Sequence, residues 1–416
     1  MPFLIVFLVL GASMVLIHVV VLIGAIISYF QEPHASKARP TSGRAGSSTA
    51  GPPASWQPPA SWQPPAPITV LVPARDEEAL LPRLLSSIRN QDTKDFSIVL
   101  VDDRSTDATP QIMQRFSEEM PGRVTIVTLR DEPTGGNPKQ RALARGSEEA
   151  PGELILMTDA DCLIPPSWVR SMAEPFRDPR VGLVFGPVIP STEGLERSTG
   201  PLDLFQGFDQ VFRFQYTAGA AGLGMPSGGF GNNLAVRRQA LEEAGGFAGL
   251  RYSPTEDAQL ICQVRETNHW TIRAMRRNGS HVYPAPEKRL SRLIQQGIRW
   301  NTGGLFAPDR TTRFNYGMVI YYLTASVLLL PAGLAAGPLA LPALGSFTSM
   351  VILGIVAGAL NINKPWYWLL LIPNVLFAML FYSYVTILTL FRAPVSRKGR
   401  RLPSNRRRIP KTADTN

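Results

Sequence analysis

Leu154-Ile-Leu-Met-Thr-Asp-Ala-Asp161 runs from four apolar residues through a threonine into two carboxylates one residue apart. A short apolar run that stops at polar residues reads as a buried strand, here Leu154–Thr158. Three more such runs precede it: Ile68–Val72, Ser97–Val101 and Val124–Leu129. Amphipathic stretches at Ala79–Arg89, Thr109–Glu119 and Lys139–Glu149 separate them. This alternation implies a doubly wound α/β sheet with buried parallel strands. Ligands in such sheets bind beyond the carboxyl ends of the strands. Those ends carry Arg75-Asp76-Glu77, Asp102-Asp103 and Asp159-Ala160-Asp161. The last pair would repel itself unless a cation or ligand compensates. Oxygen donors suit Mg²⁺ or Mn²⁺, which binds through one or two carboxylates together with ligand phosphates. A nucleoside diphosphate would complete that set. Asp102 and Asp107 also have a plainer reading, as caps of the turns they open.

The rest of the chain reads as membrane-associated. Its 416 residues carry a formal charge of +10, unevenly spread. Residues 1–269 sum to −6, residues 270–313 to +7 and residues 392–416 to +8, and Lys364 is the one charge over 314–391. Two basic blocks around an uncharged stretch suit a membrane surface better than a nucleic-acid groove, so anionic inner-leaflet lipids are expected partners and nucleic acid is not. Phe3–Phe30 is almost wholly apolar, long enough to span a bilayer core of about 30 Å, and lacks the basic start of a cleaved signal peptide. It is expected to be an uncleaved anchor. Lys37, Arg39 and Arg44 behind it would keep the following domain in the cytoplasm.

The organisation expected is therefore an anchor over 1–30, a Pro-rich linker over 31–67, a cytoplasmic domain over 68–315, a C-terminal membrane region over 316–391 and a basic cytoplasmic tail over 392–416. Spans are expected near 316–337 and 366–391. The stretch 339–360 is long enough to cross but rich in Ala, Gly and Pro, and reads as interfacial, re-entrant or half of a hairpin. The linker holds nine prolines and a direct repeat, Ala54-Ser-Trp-Gln-Pro-Pro59 and Ala60-Ser-Trp-Gln-Pro-Pro65, with Trp56 and Trp62 read as incidental to the duplication. Two cysteines and four scattered histidines exclude a disulfide framework and a cysteine or histidine metal site.

Each motif is weak alone; their order is specific. Val72-Pro-Ala-Arg-Asp-Glu-Glu78, Val101-Asp-Asp-Arg-Ser-Thr-Asp107, Asn137-Pro-Lys-Gln-Arg-Ala-Leu143, Asp159-Ala-Asp161, Thr255-Glu-Asp257 and Gln296-Gly-Ile-Arg-Trp300 follow one another along residues 68–300. In that series the chain resembles a membrane-anchored family 2 glycosyltransferase. The resemblance implies an A-type glycosyltransferase domain (a Rossmann-like, doubly wound mixed sheet) with N- and C-terminal transmembrane helices. It implies that Pro73, Arg75 and Glu77 line a nucleotide pocket, that Asp103 beside Asp102 reads the base edge, and that Lys139 meets phosphate or base oxygens. Asp159 would face the ribose or the ion, and Asp161 would ligate a divalent cation. Asp257, with Glu256, would be the general base of an inverting single displacement, which needs no protein nucleophile. Gln296, Arg299 and Trp300 would serve the departing diphosphate and the acceptor, Arg299 by charge-assisted bonds and Trp300 as a stacking face.

The resemblance has departures. Asp76 stands where family members often have Asn, which leaves its role open. Gly228-Gly-Phe-Gly-Asn-Asn233 reads as a small-residue loop ahead of an amphipathic helix, near the acceptor side or merely capping. The expected activity is transfer of a hexose from a nucleotide diphosphate sugar, of UDP type, to a lipid or glycan acceptor in the membrane. A processive polysaccharide synthase subunit and a non-catalytic scaffold retaining the nucleotide-sugar domain are the competing readings. The short C-terminal membrane region argues against a self-contained polymer channel.

Overall fold

The computed structural model describes residues 2–32, 62–131, 137–193, 195, 199–335, 340–361, 365–391, 393–397 and 400–401. Most of the linker and the tail beyond Arg401, with the expectations placed on them, lie outside the described residues.

The expected strands form where the apolar runs stand: β1 (Ile68–Ala74), β2 (Ser97–Asp103), β3 (Val124–Leu129) and β4 (Leu154–Met157). Helices α2 (Leu81–Arg89), α3 (Thr109–Glu119) and α4 (Pro138–Glu148) alternate with them. In α2 the buried Leu81, Leu84, Leu85 and Ile88 recur at helical spacing and make one apolar face. Strands β1, β2 and β4 are almost wholly buried, as parallel strands covered on both faces must be.

The second half of the sheet departs from a purely parallel arrangement. β5 (Cys162–Leu163), helix α5 (Trp168–Ala173), β6 (Val181–Phe185), the long helix α6 (Pro201–Gly222), β7 (Leu234–Arg237), α7 (Arg238–Glu243), α8 (Glu256–Glu266), β8 (Thr271–Ala274) and β9 (Tyr283–Pro284) follow. The seven-stranded sheet has the order β3-β2-β1-β4-β7-β6-β8. β7 runs antiparallel to both β4 and β6, so the sheet is mixed. This direction matters for the site. β7 begins at Leu234, paired with Met157 at the end of β4, so the segment entering β7 arrives at the carboxyl edge of the sheet. Residues 228–233 therefore lead into a strand, and the amphipathic helix expected directly after them comes only as α7.

Beyond the sheet lie α9 (Leu290–Leu305), α10 (Arg310–Ala335), α11 (Ala340–Asn361), α12 (Pro365–Leu369) and α13 (Leu371–Leu390), then a hairpin of β10 (Ser396–Arg397) and β11 (Arg400–Arg401). At the other end, α1 (Pro2–Phe30) packs on α6 and α11. Its contact with α6 is backbone against backbone. A Cβ on Gly222 would overlap the Gly24 carbonyl, and one on Gly219 would press on the Val21 carbonyl. Small residues at such a crossing let two helices approach closely. Arg276 then ties the end of α1 to the sheet domain through Ser28 Oγ (3.0 Å) and the Glu32 carboxylate (3.5 Å). Helix α6 joins two cores: Phe214 and Ala218 belong to that of the sheet, Phe208 and Val211 to that shared with α9, α11 and α13. The stretch 339–360 is largely taken up by the single helix α11. Among the described residues, Leu371–Leu390 is the one helix long and apolar enough to cross a membrane; Val15–Phe30 and Phe347–Ala359 are shorter apolar stretches.

Trp62 is not incidental. Its indole N–H donates to Glu174 (3.0 Å), and the Arg170 guanidinium lies 5.1 Å from its ring centroid. The end of the linker is thus seated on the domain, whereas Trp56 lies outside the described residues.

Candidate active site

The carboxyl ends of β1, β2 and β4 lie side by side, because Ala74 pairs with Asp102 and Leu71 with Met157. The loops leaving β1 and β2 lock together. The Asp76 carboxylate accepts the Thr106 N–H at 2.8 Å, and the Glu77 N–H donates to Thr109 Oγ1 at 2.8 Å. Asp76 has φ of 50°, the left-handed region that Asp and Asn enter more readily than other side chains. Its place is thus a turn position that either residue fills, which accounts for Asp where Asn is common. Arg104, on the neighbouring loop, is also left-handed, with φ of 60°. Its guanidinium meets the Asp103 carboxylate at 2.6 Å, and Arg75 lies 4.0 Å from the same group. Asp102 caps its own turn by accepting the Ser105 N–H at 3.0 Å, and Asp107 accepts those of Thr109 (2.9 Å) and Glu78 (3.0 Å). Pro73, Arg75, Glu77, Asp102 and Asp103 thus share one edge of the sheet, with Pro73, Arg75 and Glu77 partly accessible.

Asp159 and Asp161 stand in the turn after β4. Lys139, in the first turn of α4, sends its ammonium between Asp159 (2.5 Å) and Glu256 (3.3 Å). With 10% of its side chain exposed, it is an interior cation rather than an exposed first-turn residue. Asn137 sets this up. Its Oδ1 caps α4 by accepting the Lys139 N–H (3.1 Å), while its Nδ2 donates to Glu256 (2.8 Å) and the Ser253 carbonyl (3.2 Å). The sequence motif gives Asn137 no role of its own; an Asn before Pro at a helix start was the available signal.

Asp257 is beside Glu256 in the first turn of α8. Its two oxygens accept the N–H groups of Gly231 (2.8 Å) and Ala258 (2.9 Å). Gly231 belongs to the segment that β7's direction delivers to this edge. A side chain there would crowd Asp257, since a Cβ would sit 3.0 Å from that of Asp257. Leu143, Met157, Phe247 and Leu260 wall the inner side of the two carboxylates. Burial and the adjacent Glu256 charge raise the Asp257 carboxyl above the usual range, and Lys139 pulls it back. The result is a carboxylate with enhanced basicity at the end of a cation-containing cluster.

Among the described residues no group of three or more His, Cys, Asp and Glu is gathered for a metal. Asp159 and Asp161 supply hard oxygen donors too few for a protein-only cage. Such a set fits a small divalent cation that completes its shell with water and phosphate oxygens.

Residues 69–257 match the family described as Glycosyl transferase family 2. This stretch is similar to family 2 glycosyl transferase domains. Its start falls in β1 and its end on Asp257, so it takes in the whole carboxylate cluster. A beta-monoglucosyldiacylglycerol synthase of Nostoc sp. is 26% identical over 322 residues, 71% of this chain and 65% of its own length. A probable glycosyltransferase of Bacillus subtilis, YdaM, is 29% identical over 47% of this chain and 46% of its own. The chain thus aligns with less than two thirds of the length of these relatives. In overall shape it is similar to the mannosyltransferase PcManGT of Pyrobaculum calidifontis, with a TM-score of 0.53 at 19% identity, over 93% of this chain and 99% of that one. The mixed sheet is the A-type glycosyltransferase fold.

Gln296, Arg299 and Trp300 lie beyond the family 2 match, in α9. Arg299 donates to the Pro254 carbonyl at 3.3 Å, which brings its guanidinium to the segment just before Glu256-Asp257. Gln296 and Trp300 are partly accessible on the same helix. One residue that no sequence motif marks, Arg213 of α6, places its guanidinium 4.0 Å from the Trp300 ring centroid.

Proposed function

We propose that the chain is an inverting glycosyltransferase that moves a hexose from a UDP-type sugar to a lipid hydroxyl at the membrane surface. The observation that carries this reading is Asp257, a carboxylate oriented by two backbone N–H groups and made more basic by its surroundings, next to the Lys139–Asp159–Glu256 cluster. In the reaction Asp257 accepts the proton of the acceptor hydroxyl. The acceptor oxygen bonds to the anomeric carbon as the bond from that carbon to the diphosphate breaks, and the diphosphate leaves with the electron pair. One displacement inverts the anomeric centre. Arg299 faces the charge that builds on the leaving group. Pro73, Arg75, Glu77, Asp102 and Asp103 line the nucleotide end, with Asp103 toward the base and Arg104 and Arg75 fixing its carboxylate. Asp161, with Asp159, would hold Mg²⁺ or Mn²⁺, which when bound neutralises diphosphate charge. Gln296 and Trp300 serve the acceptor.

Support for a lipid acceptor comes from the Nostoc relative, named for a glucosyl diacylglycerol product, and from the apolar helices around the domain. In this reading α1, α10 and α13 sit in the bilayer, with α11 packed among them, and the domain faces the cytoplasm. The residues just after α13 support a tail on the same side as the domain, because β10 packs against α9. Lys288, Arg289 and Arg292, all exposed beside the exposed Leu290 at the start of α9, would meet anionic headgroups.

The test is release of UDP by the full chain, reconstituted in nanodiscs, from UDP-glucose in the presence of a membrane lipid extract. Release that depends on the lipid, and that falls in Asp257→Asn and Asp161→Ala, supports the proposal. Wild-type rates in both variants would sink the mechanism.

A further inference from the structure

Trp300 is expected to offer a ring face to the acceptor, yet one face is already taken. The Arg213 guanidinium lies 4.0 Å from the ring centroid, well within cation–π range. That guanidinium is itself held from two other helices. Nη1 donates to the Tyr382 hydroxyl of α13 at 3.1 Å, and Nη2 to the Tyr316 hydroxyl of α10 at 3.3 Å. The Tyr382 hydroxyl donates in turn to Asp209 Oδ1 at 2.6 Å, one turn before Arg213 on α6. Four helices therefore converge on one indole. Helix α9 is fixed to α13 a residue further on, by Asn301 Nδ2 to Thr386 Oγ1 at 3.2 Å.

We infer that Arg213 is a positioning residue that clamps one face of Trp300 to α10 and α13, leaving the opposite face and edge for the acceptor. This rests on the glycosyl transfer reading and on Trp300 serving the acceptor. The planar fork of arginine suits such a clamp, because two of its nitrogens take two hydroxyls while the flat group stacks on the ring. A lysine can keep the cation over the indole but cannot hold both hydroxyls in that plane. Both terminal nitrogens have tyrosine partners and Asp209 lies close by, so Arg213 acts through Trp300 rather than on the donor phosphates. The clamp also makes the acceptor site depend on α6, α10 and α13, whereas Pro73, Arg75, Glu77, Asp102 and Asp103 are carried by the strands of the sheet and the loops that leave them. A defect in the clamp should therefore separate acceptor from donor.

The experiment uses the full chain in nanodiscs with UDP-glucose and a membrane lipid extract, comparing wild type with Arg213→Met, Arg213→Lys and Tyr382→Phe. Arg213→Met is expected to raise the KM for the lipid tenfold or more. The KM for UDP-glucose and the slow release of UDP without lipid stay at wild-type values. Arg213→Lys recovers part of the loss, and Tyr382→Phe moves the lipid KM the same way by less. If Arg213→Met does not fold, Tyr382→Phe, which removes a single oxygen, decides. An unchanged lipid KM, or donor and lipid KM rising together, overturns the inference. A wild-type chain that releases no UDP overturns the glycosyltransferase reading and the clamp with it.

Discussion

Replacing Lys139 by methionine removes one charge from the middle of the carboxylate cluster while nearly keeping the side chain's length. Lys139 has 10% of its side chain exposed, Glu256 5% and Asp159 29%. Removing one partner of a buried pair strands the other, at about 3–5 kcal/mol. Because Asp159 is partly solvated, the lower end applies, and the variant should lose about 3 kcal/mol of unfolding free energy. Urea unfolding in detergent checks this. A second readout concerns chemistry. Lys139 lowers the Asp257 carboxyl against burial and the Glu256 charge. Without Lys139 that carboxyl rises further. A general base must be ionised, so activity falls as pH drops through its pKa. The acid limb of kcat/KM should therefore begin at higher pH in the variant than in wild type. A loss below about 1 kcal/mol, with an acid limb that stays in place, would refute the idea that Lys139 is the cluster's shared counter-charge.

Other expectations follow from the same contacts. Asn137→Ala leaves Glu256 and the Ser253 carbonyl short of a donor inside the protein, which should cost about 1–3 kcal/mol in urea unfolding and lower activity through Glu256. The urea midpoint of Asp257→Asn should gain on that of wild type as pH rises through the Asp257 pKa, despite the variant's loss of activity. The folded-state pKa of Asp257 is raised, so its ionised form costs stability as pH rises through that value; the asparagine is free of that pH dependence but can accept only one of the Gly231 and Ala258 N–H groups. Gly222→Val should push α1 off α6, because a Cβ there overlaps the Gly24 backbone; thermal unfolding in detergent should show a loss of about 1–3 kcal/mol.

Most of the first half of the sheet was legible because β1, β2 and β4 are buried on both faces and so are written as apolar runs. Ile68, Ser97 and Leu154 open their strands where expected for that reason, while the partly exposed edge strand Val124–Leu129 is marked by its β-branched residues instead. The second half was not. Thr271-Ile-Arg-Ala274 carries too few apolar residues to announce a strand, and Leu234–Arg237 is four residues long. Missing β7 also hid why Gly231 reaches Asp257, since that contact exists only because β7 enters the sheet in reverse. The candidate site residues of the sheet domain do gather at one edge, while the partners that hold them, such as Asn137 and Arg213, depend on contacts across more than 80 residues of chain. Trp62 shows the same limit: its seat is formed by Arg170 and Glu174, which no local pattern in the linker could reveal.

The most direct test of the central claim is mass spectrometry of lipids after incubating the full chain with carbon-13-labelled UDP-glucose and a membrane lipid extract. One lipid class is expected to become heavier by a single labelled hexose, in β linkage from the α-linked donor, with no such product from Asp257→Asn. A labelled lipid formed equally by both proteins, or a product that keeps the α configuration, would contradict it.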